Sequence, residues 1–232
     1  MQPATDMAVL LRLLRGQPSG PDHKARLEAF YAPQATRYDA FRERLLHGRA
    51  EMLKRLDIGP GQSVVELGAG TGRNVEFYRH QLDRLAGVEL VDLCGPLLEQ
   101  ARQRLTGQAN VRFIETDATT YVPDQPVDRV YFSYSLTMIP DWRSALQAAR
   151  NMLKPDGRIG VVDFFIDPVR HAALSRGFWQ RWFGHEGVRL SAEHLPALER
   201  SFATASLERR SGGVPYIPLL RAPYYIYTGT RR

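Results

Sequence analysis

Apolar residues follow two regimes along the chain. Over the first 57 positions they recur at helical spacing. Met7, Leu10, Leu11 and Leu14 share one face, with Arg12 and Arg15 on its flank and Gly16 ending the run. The breaker-rich stretch 16–22 (GQPSGPD) reads as a linker. A second amphipathic stretch covers about 37–56, where Tyr38, Phe41, Leu45, Met52 and Leu56 share a face interrupted at Gly48. From Gly59 onward, short apolar runs alternate with helical stretches, the pattern of a βαβ sheet. Strands are predicted near 63–67, 86–91, 111–114, 127–132 and 158–163, with helical stretches at about 73–84, 95–106 and 141–153. Two more strands, near 203–210 and 224–230, are joined by a Pro-rich connection too short for a crossover helix. The last strand is therefore expected to run antiparallel. Residues 168–200 read as a helical insertion carrying Trp179 and Trp182. The organisation this predicts is a helical N-terminal extension or cap over 1–57 and an α/β domain over 58–232.

Composition adds bounds. The chain has 232 residues, 44% of them hydrophobic, which is enough to bury a core without disulfides or a structural metal. Its single cysteine, Cys94, excludes an internal disulfide framework, fits a reducing compartment and reads as a small buried hydrophobe. No uncharged apolar run approaches the roughly 18 residues of a spanning helix, and no basic region leads into a clean apolar leader. A cytoplasmic location is expected. The histidines (His23, His47, His80, His171, His185 and His194) show no metal-ligand spacing, so no metal is expected. The net charge of +6 is uneven: +3 over 1–57, +4 over 201–232 and −1 between them. Basic ends point to an anionic partner met by peripheral elements. Of the 31 cations 28 are Arg, a bias that a GC-rich genome also produces.

The segment Val64-Val65-Glu66-Leu67-Gly68-Ala69-Gly70-Thr71-Gly72 carries the chemistry. A hydrophobic strand ends in an acid and enters a glycine-rich turn, where missing Cβ atoms let backbone approach a ligand. A dinucleotide fingerprint needs glycine where this chain has Arg73, and the P-loop pattern is absent. Glu66 would repel a pyrophosphate but suits a ligand presenting an ammonium group, which favours S-adenosylmethionine. The second strand ends in Leu90-Val91-Asp92-Leu93, where a carboxylate can take both ribose hydroxyls. Glu89 is the rival but points to the opposite face. The third strand ends in Glu115-Thr116-Asp117-Ala118, where an acid can accept the adenine amino group. The fourth ends in Ser133-Tyr134-Ser135-Leu136, the lip where substrate meets cofactor. Each residue alone reads as a solvated loop acid or a turn glycine; four successive strand ends together point to one site.

These residues resemble the class I S-adenosylmethionine-dependent methyltransferases. The resemblance runs from Gly59 to the C-terminus and includes Leu153-Lys154-Pro155-Asp156-Gly157 before the fifth strand. It implies a Rossmann-like α/β fold, a seven-stranded mostly parallel sheet with an antiparallel last strand, and a methyltransferase domain over 58–232. It also implies that Glu66, Gly68, Gly70 and Gly72 surround the methionine part, Asp92 the ribose, and Asp117 with Ala118 the adenine. Ala69, Asn74, Leu93 and Ser133 complete the expected cofactor site. A narrower resemblance is to the betaine-lipid N-methyltransferases. It is carried by the blocks 30–35 (FYAPQA) and 38–49 (YDAFRERLLHGR), by Leu90-Val91-Asp92-Leu93-Cys94, by Trp179-Gln180-Arg181-Trp182-Phe183, and by 215–225 (PYIPLLRAPYY). Gly95 departs from that pattern, where proline is expected. Those enzymes methylate diacylglycerylhomoserine three times. The resemblance therefore implies a lipid substrate at the inner face of the membrane and, as pathway partner, the aminocarboxypropyltransferase that forms the homoserine lipid.

Methyl transfer from a sulfonium to an amine is an in-line displacement that chiefly needs alignment in a dry pocket. The cationic product suits aromatic walls. Tyr31, Tyr38, Tyr134, Trp142, Tyr216, Tyr224 and Tyr225 are candidates, with Tyr38 and Tyr134 taken as catalytic and Tyr31 and Tyr224 as substrate-binding. Arg49, on a helix expected to cover the pocket, is assigned to the methionine carboxylate, and Arg221 to the homoserine carboxylate. Three acceptor classes follow: a lipid amine (the homoserine lipid or phosphatidylethanolamine), a soluble small molecule such as a quinol precursor, and nucleic acid. The last lacks its usual Asn/Asp-Pro-Pro-Tyr/Phe tetrapeptide after the fourth strand, and no nucleic-acid partner is expected.

Overall fold

The computed structural model describes residues 22–31, 43–167, 173–184, 187–215, 217 and 220–232. The apolar run at 7–15, the linker up to residue 21, the start of the 37–56 stretch with Tyr38, and Tyr216 lie outside the described residues.

Seven strands form one sheet: β1 (Ser63–Leu67), β2 (Gly87–Asp92), β3 (Val111–Glu115), β4 (Val127–Ser133), β5 (Leu153–Phe164), β6 (Phe202–Gly213) and β7 (Arg221–Arg231). Their order is β3-β2-β1-β4-β5-β7-β6. β1 pairs in parallel with β2 and β4, and β7 runs antiparallel between β5 and β6. The expected architecture is present, with β5, β6 and β7 longer than their apolar runs predict because ladder pairing recruits flanking polar residues. From β1 the strand order runs outward to β2 on one side and to β4 on the other, so the loops leaving their carboxyl ends diverge. A doubly wound sheet opens its crevice at such a switch point.

Alternation along the strands sends side chains to two cores. Val64, Val88, Leu90, Tyr131, Val162 and Ile226 face one; Val65, Leu67, Val91, Val130, Phe132 and Val161 face the other. The first core is covered by α1 (His23–Tyr31), α2 (Arg49–Leu56), the 3₁₀ segment Arg73–Arg84, α3 (Gly95–Arg104) and α5 (Ala173–Gly184). The second is covered by α4 (Trp142–Met152) and α6 (His194–Ser201).

Two local readings change. The amphipathic stretch to Leu56 is not one helix: Gly48 adopts φ +80° and α2 starts after it. A side chain there would also strike Tyr224. The stretch after Gly72 is 3₁₀ with a kink at Tyr78, which lets Asn74, Val75, Tyr78 and Leu82 all bury. Gly95 opens α3 with Pro96 behind it, so the departure from proline leaves the helix start intact.

Helix α2 is seated on β5 by a close approach. A Cβ on Gly160 would lie 2.5 Å from the Met52 sulfur and 3.4 Å from Leu56. Gly160→Ala should therefore overpack this contact and destabilise the protein by roughly 1–3 kcal/mol. Urea unfolding followed by far-UV circular dichroism checks it; an unchanged midpoint would mean that α2 can lift at no cost.

Candidate functional site

A cavity of about 280 Å³ opens at the carboxyl ends of β1, β2, β3 and β4. Its floor is the turn after β1. Gly68 and Gly70 take φ +77° and +55°, a region that suits glycine. The amides of Gly68 and Ala69 donate to the Val91 carbonyl at 2.8 and 3.0 Å, which ties the turn to β2. A Cβ on Gly68 would sit 2.4 Å from the Ser135 Cβ. Ser135 Oγ in turn donates to the Leu67 carbonyl at 2.6 Å. The loops after β1 and β4 are thus held in contact at the sheet's switch point.

Asp92 lies at the end of β2 and lines the cavity. Its two oxygens accept the amides of Gly70 (2.7 Å) and Cys94 (2.8 Å). The Leu93 amide also acts on this carboxylate, which with about four acceptor sites in all retains capacity for a ligand hydroxyl. Burial raises the Asp92 pKa and the backbone donors oppose that. Glu89, the rival carboxylate, is engaged by Arg112 and the Tyr121 hydroxyl and does not line the cavity.

Of the residues expected from sequence, Tyr31, Arg49, Gly68, Ala69, Gly70, Asn74, Asp92, Leu93, Asp117, Ala118, Ser133 and Tyr134 line this one space. Others do not. Glu66 is fully buried beneath it, and Gly72 packs against Ala101 and Leu90. Arg221 is exposed on the β6–β7 hairpin, bound to Ser211 (Oγ 3.1 Å, carbonyl 2.6 Å). Tyr224 is buried behind Gly48 with its ring stacked on His47 at 6.0 Å. Trp142 and Tyr225 belong to the core on the far face of the sheet. Strand alternation separates adjacent Tyr224 and Tyr225, a consequence that a composition of aromatics does not reveal. Tyr38 lies outside the described residues.

Tyr134 has φ +55°, unusual for a non-glycine residue. Its hydroxyl donates to the His47 carbonyl at 2.7 Å, so the ring is a fixed wall and its oxygen is already engaged. The same contact holds the segment leading into α2 against the sheet. That segment delivers Arg49, whose Nε donates to the Leu46 carbonyl at 3.2 Å. Burial lowers the Arg49 pKa. Sequence reasoning missed His23, Leu27, Leu46, Met138, Ile139 and Asp141, which also line the cavity. Their only signal was proximity in sequence to the expected lip and cap. Burial, then the nearby Arg26 charge, lowers the His23 pKa.

Beneath the floor runs a buried polar chain. Asn74 Nδ2 donates to Glu66 Oε1 (2.6 Å), Tyr131 donates to Glu66 Oε2 (2.7 Å), and the Tyr131 and Tyr78 hydroxyls are 3.2 Å apart. Burial lifts the Glu66 pKa to about 8, against the pull of Asn74 and Tyr131. The folded protein therefore holds a proton that the unfolded chain releases near pH 4.5, and this stabilising difference is lost as pH rises toward 8. Thermal unfolding should show stability falling across that window, and Glu66→Gln should flatten the fall, with Tm above wild type at pH 9. Parallel Tm-against-pH curves for the two proteins would refute this assignment of the proton.

Among the described residues, no group of His, Cys, Asp and Glu is arranged to hold a metal ion. No helix of the described residues is long and apolar enough to cross a membrane.

Comparison with known proteins agrees with this geometry. Residues 64–157 match the family described as a methyltransferase domain. The ubiquinone/menaquinone biosynthesis C-methyltransferase UbiE of Enterobacter sp. (strain 638) is 27% identical over 150 residues, which is 60% of each chain. This chain thus spans about 60% of the length of the curated relatives it matches. Among solved structures, the Haemonchus contortus phosphoethanolamine N-methyltransferase 2 in complex with S-adenosyl-L-methionine has a TM-score of 0.73 at 16% identity, covering 92% of this chain and 60% of that one. The N-methyltransferase NodS of Bradyrhizobium japonicum, in complex with S-adenosyl-l-homocysteine, has a TM-score of 0.67 at 16% identity, covering 90% and 99%. At these identities the structural likeness is one of fold. Residues 64–157 are thus similar to a methyltransferase domain, and strand ends within that span contribute to the cavity.

Proposed function

We propose that the chain is an S-adenosyl-L-methionine-dependent N-methyltransferase acting on a lipid amine, with diacylglycerylhomoserine trimethylated to the betaine lipid. One observation carries the donor half: the Gly68–Gly70 turn, Asp92, and Asp117 with Ala118, from three successive strand ends, line one cavity. At Gly70, φ +55° and nothing nearer than Leu97 at 4.0 Å where a Cβ would stand leave the turn backbone open to a ligand that approaches closely. In this reading Arg49 holds the methionine carboxylate, Asp92 the ribose hydroxyls and Asp117 the adenine amine. S-adenosyl-L-methionine supplies an electrophilic methyl, whose S–C bond breaks as the N–C bond forms. The acceptor nitrogen must arrive deprotonated, its proton having passed to water or a cavity carboxylate. Met138 and Ile139 supply apolar wall that excludes water, and the Tyr31 and Tyr134 rings suit a nitrogen that keeps its charge as methyls accumulate.

The acceptor half rests on the blocks shared with betaine-lipid N-methyltransferases and on those aromatic walls. It carries with it an inner-membrane-face location and a separate enzyme that makes the homoserine lipid. A second reading, methylation of a quinol precursor, is favoured by the 27% identity to a C-methyltransferase. Purified protein with labelled S-adenosyl-L-methionine, offered the homoserine lipid, phosphatidylethanolamine and a quinol precursor, separates them. Label is expected in mono-, di- and trimethyl forms of the homoserine lipid, the trimethyl form accumulating; label only in the other acceptors overturns that substrate.

Asp92→Ala should lower affinity for S-adenosylhomocysteine at least tenfold by calorimetry, since hydrogen bonds to a charged group contribute about 1.5–3 kcal/mol. Glu89→Ala should leave it unchanged. The reverse outcome would move the ribose contact to Glu89.

A further inference from the structure

We propose that α5 is the surface that seats this protein on an anionic bilayer, an inference that rests on the lipid-acceptor reading and gives it a place on the molecule. Helix α5 reads ALSRGFWQRWFG, with two arginines and no acidic residue. Its aromatics divide into two pairs at i, i+4 spacing, each on its own strip of the helix. Trp179 and Phe183 are buried. Phe178 is 44% exposed, one of few large hydrophobics so placed among the described residues, and Trp182 is half-buried beside it, ring centroids 5.7 Å apart. Arg181 is exposed next to them. An exposed Phe178 backed by a half-buried Trp182 and flanked by Arg181, with no acid on the helix, matches the interfacial zone of an anionic membrane, where rings sit at headgroup depth and guanidinium groups meet phosphate.

The inward pair connects this strip to the cavity. Trp179 stacks on Phe183 (5.3 Å), Phe183 on Phe164 (4.4 Å), and Phe164 packs on Tyr134 (4.6 Å), which lines the cavity. From Gly187 to Arg189 the chain lies at the cavity rim. The Val188 amide donates to the Phe183 carbonyl at 3.1 Å, and the Arg189 amide to the Thr137 carbonyl at 2.7 Å, one residue before Met138 of the cavity wall. Arg189 is exposed, and its charge acts on His23 across the rim. A bilayer met by Phe178, Trp182 and Arg181 would lie beside the entrance that a lipid headgroup must reach. A rigid aromatic stack would fix the helix relative to that entrance.

The test uses the full chain and vesicles of equimolar phosphatidylcholine and phosphatidylglycerol, which offer no amine acceptor, with pure phosphatidylcholine as control. Wild type should co-float with the anionic vesicles and not with the control. Arg181→Glu removes one cation and adds one anion, and should weaken partition about thirtyfold. Phe178→Ser should weaken it several-fold, and Arg181→Gln should fall between wild type and Arg181→Glu. All three should keep the wild-type Tm and S-adenosylhomocysteine affinity, which separates docking from folding and from the donor site. Absence of binding by wild type, equal binding to both vesicles, or unchanged binding by all three variants overturns the proposal. If wild type docks through α5 yet methylates only a soluble amine, the acceptor reading fails while the docking surface stands.

Discussion

Everything at the candidate site depends on how closely the chain can pass itself where β1 and β4 part. Gly68 and Ser135 meet there with no room for a Cβ on the glycine, and the Ser135 hydroxyl closes the contact by donating to the Leu67 carbonyl. Two constraints act on one residue, since Gly68 must also hold φ +77°. With the two turns locked, the crevice at the switch point acquires a floor of backbone amides. Asp92 extends that floor by binding the amides of Gly70 and Cys94, so the loops after β1 and β2 are fixed by one carboxylate. A ligand meets a surface already organised, and little ordering remains to be done on binding.

The second layer is polar where a core is usually apolar. Glu66, Asn74, Tyr131 and Tyr78 occupy the α2/α3 face of the sheet directly below the glycine turn. A buried carboxyl is tolerated because both its oxygens accept hydrogen bonds and because it can hold a proton near neutral pH. A change of charge in the cavity above it bears on that proton. Asp163 is comparable: fully buried at the end of β5, it accepts from the Thr137 amide (3.0 Å) and hydroxyl (2.7 Å), and burial raises its pKa to about 7. It orients the loop that presents Met138 and Ile139. Buried acids thus support both rims of the cavity.

The approach to α2 does for the wall of the cavity what Gly68 does for its floor. Gly48 turns the chain, Tyr134 holds the His47 carbonyl, and Arg49 is carried into the cavity from the N-terminal side. Helix α1 supplies His23, Leu27 and Tyr31 to the opposite wall, pinned by the Lys24–Glu115 ion pair to the end of β3. Residues of α1, α2 and the sheet therefore line one cavity, and α5 packs on the same wall through Phe164.

The sheet was legible from local pattern. Alternating βαβ runs, a glycine turn after an acid-ended strand, and acids or hydroxyls at the next three strand ends are local patterns with a local physical cause. They placed Asp92, Asp117, Ser133 and the Gly68–Gly70 turn correctly on one edge. Asp92 was separable from Glu89 because a strand alternates faces, and Glu89 indeed meets Arg112 instead. Distances between segments remote in sequence were not legible there and came from packing. It sank Glu66 below the cavity, moved Arg221 and Tyr224 away from it, broke the 37–56 stretch at Gly48, and brought in His23, Leu27, Met138 and Ile139. Hydrophobic periodicity reports which face of an element is buried, not what it is buried against. An aromatic or an arginine gives the same signal in a core, on a hairpin or in a cavity wall, and packing alone separates them.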